Sequence, residues 1–514
     1  MRSFVLVVGI ASIIAANQAS EAASDRITGL PGVPSSLQGL SQFAGKLQAG
    51  DKGELFYWLV ECETAPESAP LVLWLQGGPG ASSLFSLFSE TGPFRFASGI
   101  DGVSVEGGPT SDAAPSLAAA EVRWTTVASV LYLDQPFGTG FSWASANTSD
   151  AVVHDEAELR NAALAALLSF YDRHERYAGR PLYIVGESFA GHMAPNIAWR
   201  IVQHNEDPMT RPSARIALRG LAVGDGWVEP TAQNIAFPAY AFGVGLIGEP
   251  LRDRLALRAK DCARTIAAGN YTAAFDGPCY YHMLNPIVDA AGGVSPYDIR
   301  VFSGADARCS NDGGNEDCNG NRPAAALDAR AYRKYAAYKV MSGAGMGAPA
   351  DDDGFAGDLL QSYLDADSVR DALHLPRASA SWPWGQGPGA TFVEEGLIPD
   401  LNAPTSLPLW PKLLDRGVQV VAYNGNFDLI CNHMGTDSFL RTLDWDGRED
   451  FLAAPRRVWR TRGSMVAGWA RSARNLTQLV VANAGHMAPS DAPLACFDMM
   501  ERLLGVNGAS FPVQ

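Results

Sequence analysis

The sequence YIVGESFAGH at residues 183–192 determines the fold class of this chain. Its first three residues are apolar and predict the end of a buried strand, and a helix-compatible segment follows. Between strand and helix, Ser188 has Gly186 two positions before it and Ala190 and Gly191 shortly after it. A nucleophile elbow needs small neighbours, because the strand turns so sharply into the helix that larger side chains would collide. The pattern therefore predicts a reactive serine, although Ala190 stands where a second glycine is usual.

Short apolar runs alternate with helical patterns on both sides of this stretch. The strand candidates are residues 54–60, 70–75, 127–133, 218–223, 418–423 and 479–482, and helical spacing occurs over residues 156–174 and 359–375. Alternation of this kind predicts an α/β fold, with a mostly parallel central sheet and helices on both faces.

Four segments follow from these patterns. Residues 1–22 have a basic tip, an apolar run and then small residues, which predicts a signal peptide. Residues 23–236 and 359–514 are expected to form the two parts of the α/β core. Residues 237–358 carry few strand signals and are expected to form an inserted, partly helical cap. No later stretch is long and apolar enough to predict a membrane span, so we expect a secreted, lysosomal or vacuolar lumenal protein.

Charge and cysteine content exclude several classes of function. The formal net charge of −16 argues against nucleic acid and anionic membranes as partners. Of the seven cysteines, four cluster in the expected cap and predict two disulfides, with three connectivities open; they are Cys262, Cys279, Cys309 and Cys318. The cysteines lack Cys-x-x-Cys spacing and the chain lacks His-Glu-x-x-His, so we expect no metal and no cofactor.

Asn147, Asn270 and Asn475 begin candidate glycosylation tripeptides.

A serine nucleophile needs a base and an acid that orients the base. In an elbow fold both should follow later strands, in the chain order serine, aspartate, histidine. Asp428 follows one late strand candidate and His486 follows the last. His192 competes as the base, but it lies four residues after Ser188 on the same helix, with no later carboxylate loop to orient it. We therefore predict Ser188, Asp428 and His486 as the catalytic residues.

The sequence LWLQGGPG at residues 73–80 is a strand candidate followed by a glycine-rich loop. It lacks the Lys-Ser/Thr of a phosphate-binding loop. In an elbow enzyme this early loop supplies a backbone N–H to the oxyanion hole, and the residue after the nucleophile supplies the other. We predict that the N–H groups of Gly78 and Phe189 form the pair.

Five motifs together resemble the serine carboxypeptidase family: LWLQGGPGASS at 73–83, LDQPFGTGFSW at 133–143, YIVGESFAGHMAP at 183–195, and the segments 424–436 and 484–489. The chain is most similar to the branch that contains the retinoid-inducible and some insect carboxypeptidases. The resemblance implies an α/β-hydrolase fold with an inserted cap, and removal of C-terminal residues from peptides at acidic pH. It places the family's catalytic and oxyanion residues at the positions already named.

The resemblance also places recognition of the substrate carboxylate on Gln76, Glu90 and Glu187. Two acids can bind a carboxylate only if they are protonated, because like charges repel. Two departures from the family stand out: Gln76 occupies a position that is commonly Asn, and Ala81 replaces a cysteine.

Other functions stay open at this level. The same machinery would serve an acyltransferase or esterase, and a binding or protective protein could retain the three residues without catalysis. The expected partners are peptide or protein C-termini, and the oligomeric state stays open, with a homodimer as one candidate.

Overall fold

The computed structural model describes residues 24–97, 114–301, 355–377 and 380–511. The expected signal peptide, Cys309 and Cys318 lie outside the described residues. Among those described, no helix combines the length and the hydropathy that crossing a bilayer requires.

Within the described residues, eleven strands form one sheet. In chain order the strands are β1 (Gln42–Gln48), β2 (Gly53–Val60), β3 (Leu71–Leu75), β4 (Phe94–Phe96), β5 (Leu117–Ala119), β6 (Ser129–Leu133), β7 (Trp143–Ala144), β8 (Leu182–Glu187), β9 (Leu218–Gly224), β10 (Gln419–Gly425), β11 (Arg457–Arg460), β12 (Val466–Ala473) and β13 (Leu476–Val481). The order across the sheet is β1-β2-β6-β3-β8-β9-β10-β13-β12-β11, with β7 beside β2, and β4 and β5 pair separately. The six strands from β6 to β13 run parallel, whereas the flanking pairs are antiparallel.

Helices cover both faces of the sheet. They are α1 (Leu84–Ser89), α2 (Glu156–Arg173), α3 (Ala190–Glu206), α4 (Pro230–Gly243), α5 (Glu249–Ala267), α6 (Tyr271–Asp276), α7 (Tyr281–Ala290), α8 (Phe355–Asp365), α9 (Asp367–Ala372), α10 (Val393–Leu401), α11 (Leu409–Leu414), α12 (His433–Leu440), α13 (Arg448–Ala453), α14 (Ala488–Asp491) and α15 (Pro493–Leu504). Alternate strand residues enter opposite cores: Leu73 packs with the side chains of α2 and α3, while Trp74 packs with those of α1, α8 and α15.

The predicted α/β fold with a mostly parallel sheet is confirmed. The helical pattern at residues 359–375 corresponds to two helices, α8 and α9, which are separated at Ala366, where the backbone is extended. Strands β1, β11 and β12 were not predicted. Strand β1 pairs with β2, β12 pairs with β13 and β11 pairs with β12, and this pairing is tertiary information.

The expected cap contains helices α5 to α7 in its described part. Helix α4 begins at Pro230 and crosses the boundary expected at residue 237. A disulfide joins Cys262 in α5 to Cys279, just before α7, at a Cα–Cα distance of 5.0 Å. One of the predicted cap bridges is therefore present among the described residues.

Replacing Gly186 by alanine should destabilise the fold at the end of β8. The added Cβ would lie 2.5 Å from the Ala190 Cβ and 2.7 Å from the Leu75 carbonyl oxygen, so backbone would have to move. We expect the free energy of unfolding to fall by about 1–3 kcal/mol, as for other overpacked cores. Denaturant unfolding would measure this. Gly39→Ala is the matched control, because its Cβ would meet nothing within 4 Å; equal losses in the two variants would contradict the prediction.

Candidate active site

Ser188 lies in the sharp turn between β8 and α3. Its φ of +63° is in the left-handed region, which costs a side-chain-bearing residue free energy and is typical of strained functional turns. Backbone hydrogen bonds fix the turn: the Ser188 N–H donates to the Gly224 carbonyl at 3.0 Å, and the Trp227 N–H donates to the Ser188 carbonyl at 2.9 Å. The strand β9 and the loop after it therefore hold the serine in place.

Asp428 and His486 lie in the loops after β10 and β13, as predicted. These two strands pair in parallel, so their loops leave the sheet at the same edge. The His486 Nδ1 and the Asp428 Oδ2 are 2.9 Å apart, and both side chains are buried. Asp428 also accepts from the Cys431 N–H, at 3.2 Å to each carboxylate oxygen.

The hydrogen bond to Asp428 implies the tautomer of His486. An ionised carboxylate only accepts, so Nδ1 carries the proton and Nε2 presents a lone pair. His486 Nε2 is buried and has no hydrogen-bond partner. Tyr297 also holds His486: the backbone N–H of His486 donates to the Tyr297 carbonyl at 2.7 Å, and the two rings meet edge to face. His486 Nε2 is therefore held in a fixed orientation and is available to accept a proton.

His192, the competing base, is engaged elsewhere. Its side chain is fully buried, and its Nδ1 lies 2.5 Å from Glu156 Oε1 and 3.1 Å from Thr405 Oγ1. Its ring stacks on Phe189 with centroids 5.1 Å apart. The carboxylate that sequence reasoning did not find for His192 is therefore Glu156, at the start of α2, and the pair joins α2 to α3.

The two predicted oxyanion residues lie on loops that touch. A Cβ on Gly77 would lie 2.6 Å from the Phe189 nitrogen, so only glycine allows the loop after β3 to approach the elbow this closely. Gly78 has a φ of +106°, which also favours glycine. The N–H groups of Gly78 and Phe189 are therefore carried by backbone segments in contact.

Asp134 fixes the glycine-rich loop and was not singled out by sequence reasoning. Its carboxyl group accepts from Ser82 Oγ at 2.6 Å, from the Ser83 N–H at 3.0 Å and from the Phe141 N–H at 3.1 Å. Burial raises the pKa of Asp134 to about 7. The aspartate within the motif at residues 133–143 therefore has a structural role.

Gln76, Glu187 and Glu90 form one buried cluster beside the elbow. The Gln76 Nε2 donates to Glu187 Oε1 at 3.1 Å, and Trp74 Nε1 donates to Gln76 Oε1 at 3.0 Å, which orients the amide. Burial raises the pKa of Glu90 to about 7 and that of Glu187 well above its usual range, and the two acids face each other within hydrogen-bond reach. Neither Glu90 oxygen accepts a hydrogen bond from an N–H or O–H group. A proton between the two acids would satisfy both.

The nearby cation does not neutralise this cluster. Arg95 donates to the backbone carbonyls of Glu90, Gly92 and Phe94 at 2.7–3.2 Å. Its charge lowers the pKa of Glu90, but burial dominates. The cluster is therefore neutral and donor-rich at acidic pH.

A cavity adjoins the glycine-rich loop. Helix α10 lines one side with Val393, Leu397 and Leu401, and Phe275 and Tyr280 from the cap line another. An apolar cavity next to the proposed oxyanion donors has the shape and polarity to hold a substrate side chain.

Asp428, Cys431 and His486 offer ligand atoms within 4.8 Å of one another, the one such group among the described residues. We assign no metal to them, because the hydrogen bond between Asp428 and His486 already accounts for their proximity.

The three candidate glycan acceptors differ in their surroundings. Asn147 and Asn270 are exposed. Asn475 is half-buried, and its Nδ2 donates to the Leu414 carbonyl at 2.8 Å and the Val418 carbonyl at 2.7 Å. A glycan on that nitrogen would have to displace a hydrogen bond, so the geometry favours the first two sites.

Comparison with known proteins gives a consistent result. The family model described as serine carboxypeptidase matches residues 31–505. Serine carboxypeptidase S10 family member 2 of Dictyostelium discoideum is 30% identical over 93% of this chain and 75% of its own length. The probable serine carboxypeptidase CPVL of Homo sapiens is 28% identical over 91% of this chain and 84% of its own length.

A solved structure supports the fold. The crystal structure of Kex1(Δ)p, a prohormone-processing carboxypeptidase from Saccharomyces cerevisiae, has a TM-score of 0.73 to this chain at 23% identity. The match covers 95% of this chain and 98% of that one.

The geometry of the two histidines predicts that replacing His486 slows the labelling of Ser188 far more than replacing His192. His486→Gln should slow covalent labelling of Ser188 by a fluorophosphonate at least about 10³-fold, because the base is lost. His192→Gln should label within about tenfold of the wild type, because the amide can still donate to Glu156. Labelling rates measured by mass spectrometry would test this, and the reverse pattern would make His192 the base.

Proposed function

The chain belongs to the serine carboxypeptidase family of hydrolases, and from that premise we propose that it removes C-terminal residues from peptides and proteins at acidic pH through an acyl-enzyme on Ser188. The proposal rests chiefly on the buried cluster of Gln76, Glu90 and Glu187, which adjoins the serine and can donate hydrogen bonds to a free carboxylate. An endopeptidase or a general esterase has no need of such a cluster.

The proposed reaction begins when Ser188 Oγ attacks the carbonyl carbon of the last peptide bond. His486 Nε2 takes the hydroxyl proton, and Asp428 stabilises the resulting imidazolium through Nδ1. The N–H groups of Gly78 and Phe189 donate to the tetrahedral oxyanion. His486 then protonates the leaving amine, which departs as the free C-terminal residue.

The second half returns the enzyme to its starting state. A water molecule gives a proton to His486 and attacks the acyl-enzyme. The tetrahedral intermediate collapses as His486 returns that proton to Ser188 Oγ, which releases the shortened peptide. The acyl part of the substrate would occupy the apolar cavity beside Gly78.

Recognition of the substrate carboxylate explains the expected acidic working range. A protonated carboxyl group donates to the substrate, whereas an ionised one repels it. Burial raises the pKa of Glu90 to about 7, so the binding form exists below that pH and is lost above it. Gln76 can donate at every pH, because its Nε2 carries two hydrogens and uses one on Glu187. The pH dependence of the affinity therefore comes from the acids.

The proposed location is the lumen of the secretory route, in a secreted, lysosomal or vacuolar protein. The signal-like residues 1–22, the disulfide between Cys262 and Cys279, and the exposed acceptors Asn147 and Asn270 support it.

The substrate carboxylate should make KM depend on pH. For an N-blocked dipeptide with a free C-terminus, we expect KM to rise about tenfold per pH unit above pH 7, because the fraction of protonated Glu90 falls by that factor. Steady-state kinetics from pH 4 to 8 would measure it, with Ser188→Ala as the background control.

The amide of the same dipeptide is the matched control substrate. It should be hydrolysed at least about 100-fold less efficiently at pH 5, because it has no carboxylate to receive the hydrogen bonds. Equal turnover of acid and amide would favour an esterase or acyltransferase, and a protein that turns over neither would be a binding protein.

A further inference from the structure

Asp225 lies at the carboxyl end of β9, between the carboxylate cluster and the proposed catalytic acid. Its side chain is fully buried and its φ is +42°, so both side chain and backbone are constrained. Its N–H donates to the Tyr423 carbonyl at 2.7 Å, and its Oδ1 accepts from the Gly425 N–H at 2.8 Å. Asp225 is therefore fixed to the end of β10 at Tyr423 and Gly425, and Gly425 precedes Asp428 by three residues in the chain.

The burial of the second carboxyl oxygen of Asp225, Oδ2, needs an explanation. Oδ2 is buried and accepts no hydrogen bond from an N–H or O–H group, yet the carboxyl groups of Asp225 and Asp428 lie within hydrogen-bond reach. Two facing carboxylates cannot both be ionised without strong repulsion. One proton between them removes the repulsion and satisfies Oδ2.

The proton belongs on Asp225. Asp428 accepts from His486 Nδ1 and from the Cys431 N–H, which stabilises its ionised form, whereas Asp225 accepts only from Gly425. Burial, the charge of Asp428 and the hydrogen bond between the two acids raise the pKa of Asp225 well above its usual range.

The other titratable groups around Asp225 carry either no charge or a negative one. They are Glu187 at the end of β8, Tyr423 in β10, Tyr240 in α4, Asp491 in α14 and Cys496 in α15. Arg300, the ion-pair partner of Asp491, also binds Asp298, and Arg95 acts on Glu90. Nothing in this set favours ionisation of Asp225.

We propose that Asp225 is a positioning residue: its protonated carboxyl group donates from Oδ2 to Asp428 and so holds that carboxylate in line with His486 Nδ1. The inference rests on the proposed roles of Asp428 and His486. It assigns the pH dependence of the chemical step to Asp225 and that of substrate binding to Glu90 and Glu187. When Asp225 loses its proton, Asp428 loses a donor and gains a repelling neighbour, and the rate falls.

Labelling of Ser188 by a fluorophosphonate tests this apart from carboxylate binding, because the reagent has no carboxylate. In the wild type we expect the labelling rate to fall at least tenfold between its maximum and pH 9.5. In Asp225→Asn, Oδ1 can still accept from Gly425 and Nδ2 can donate to Asp428 at every pH, so the alkaline decline should disappear. Asp225→Ala should label at least tenfold more slowly than the wild type at all pH values.

Asp400→Asn is the matched control, because burial also raises the pKa of this acid, to about 6, at a site where it only accepts from the Glu156 N–H. The labelling rate of Asp400→Asn should decline at alkaline pH by the same factor as that of the wild type. Thermal unfolding would show whether Asp225→Ala folds. If this variant does not fold, the comparison of Asp225→Asn with the wild type still tests the inference.

Three results would overturn the inference: a wild-type rate that does not fall by pH 9.5, equal declines in the wild type and Asp225→Asn, or wild-type labelling of Asp225→Ala. A wild-type protein that is never labelled would instead overturn the proposed function itself.

Discussion

The left-handed turn at Ser188 is the constraint on which the rest of the site depends. A serine adopts a φ of +63° only where the surroundings compensate for the strain, and here the Gly224 carbonyl and the Trp227 N–H hold its backbone from β9 and the following loop. The same requirement explains the glycines nearby. The surroundings of Gly186 and Gly77 leave no room for a Cβ. Glycine at these positions allows the serine turn to contact the loop that carries Gly78.

A second feature is the row of buried acids along this edge of the sheet, from Glu90 and Glu187 through Asp225 to Asp428. Burial raises the pKa values of the first three, which favours their protonated forms at acidic pH. The cost appears in stability. Because their pKa values in the folded protein lie above those in the unfolded chain, the contribution of these groups to the free energy of unfolding is greatest below about pH 4. It falls as the pH rises through their folded pKa values, which for Glu90 is about 7.

The sequence Gly-His-Met-Ala-Pro occurs twice, at residues 191–195 and 485–489, and tertiary structure gives its two copies different roles. His192 and His486 have the same local sequence, but His192 is inside helix α3 and His486 is on the loop after β13. Packing gives His192 the partner Glu156 and a stacking contact with Phe189, and it gives His486 the partner Asp428. Local sequence could rank the two only by their position relative to predicted strands.

The sequence by itself determined the elements whose signals are local: the elbow at Ser188, the parallel strands, and the loops that carry Asp428 and His486, because apolar periodicity and small residues at a turn act over a few positions. Only the tertiary structure decided the pairing of β1, β11 and β12, the contact of Glu156 with His192, and the place of Asp225 beside Asp428. Those features depend on which distant segments meet across the sheet. A buried carboxyl group acquires its protonation state from neighbours that are hundreds of residues away in the chain, and no local pattern records them.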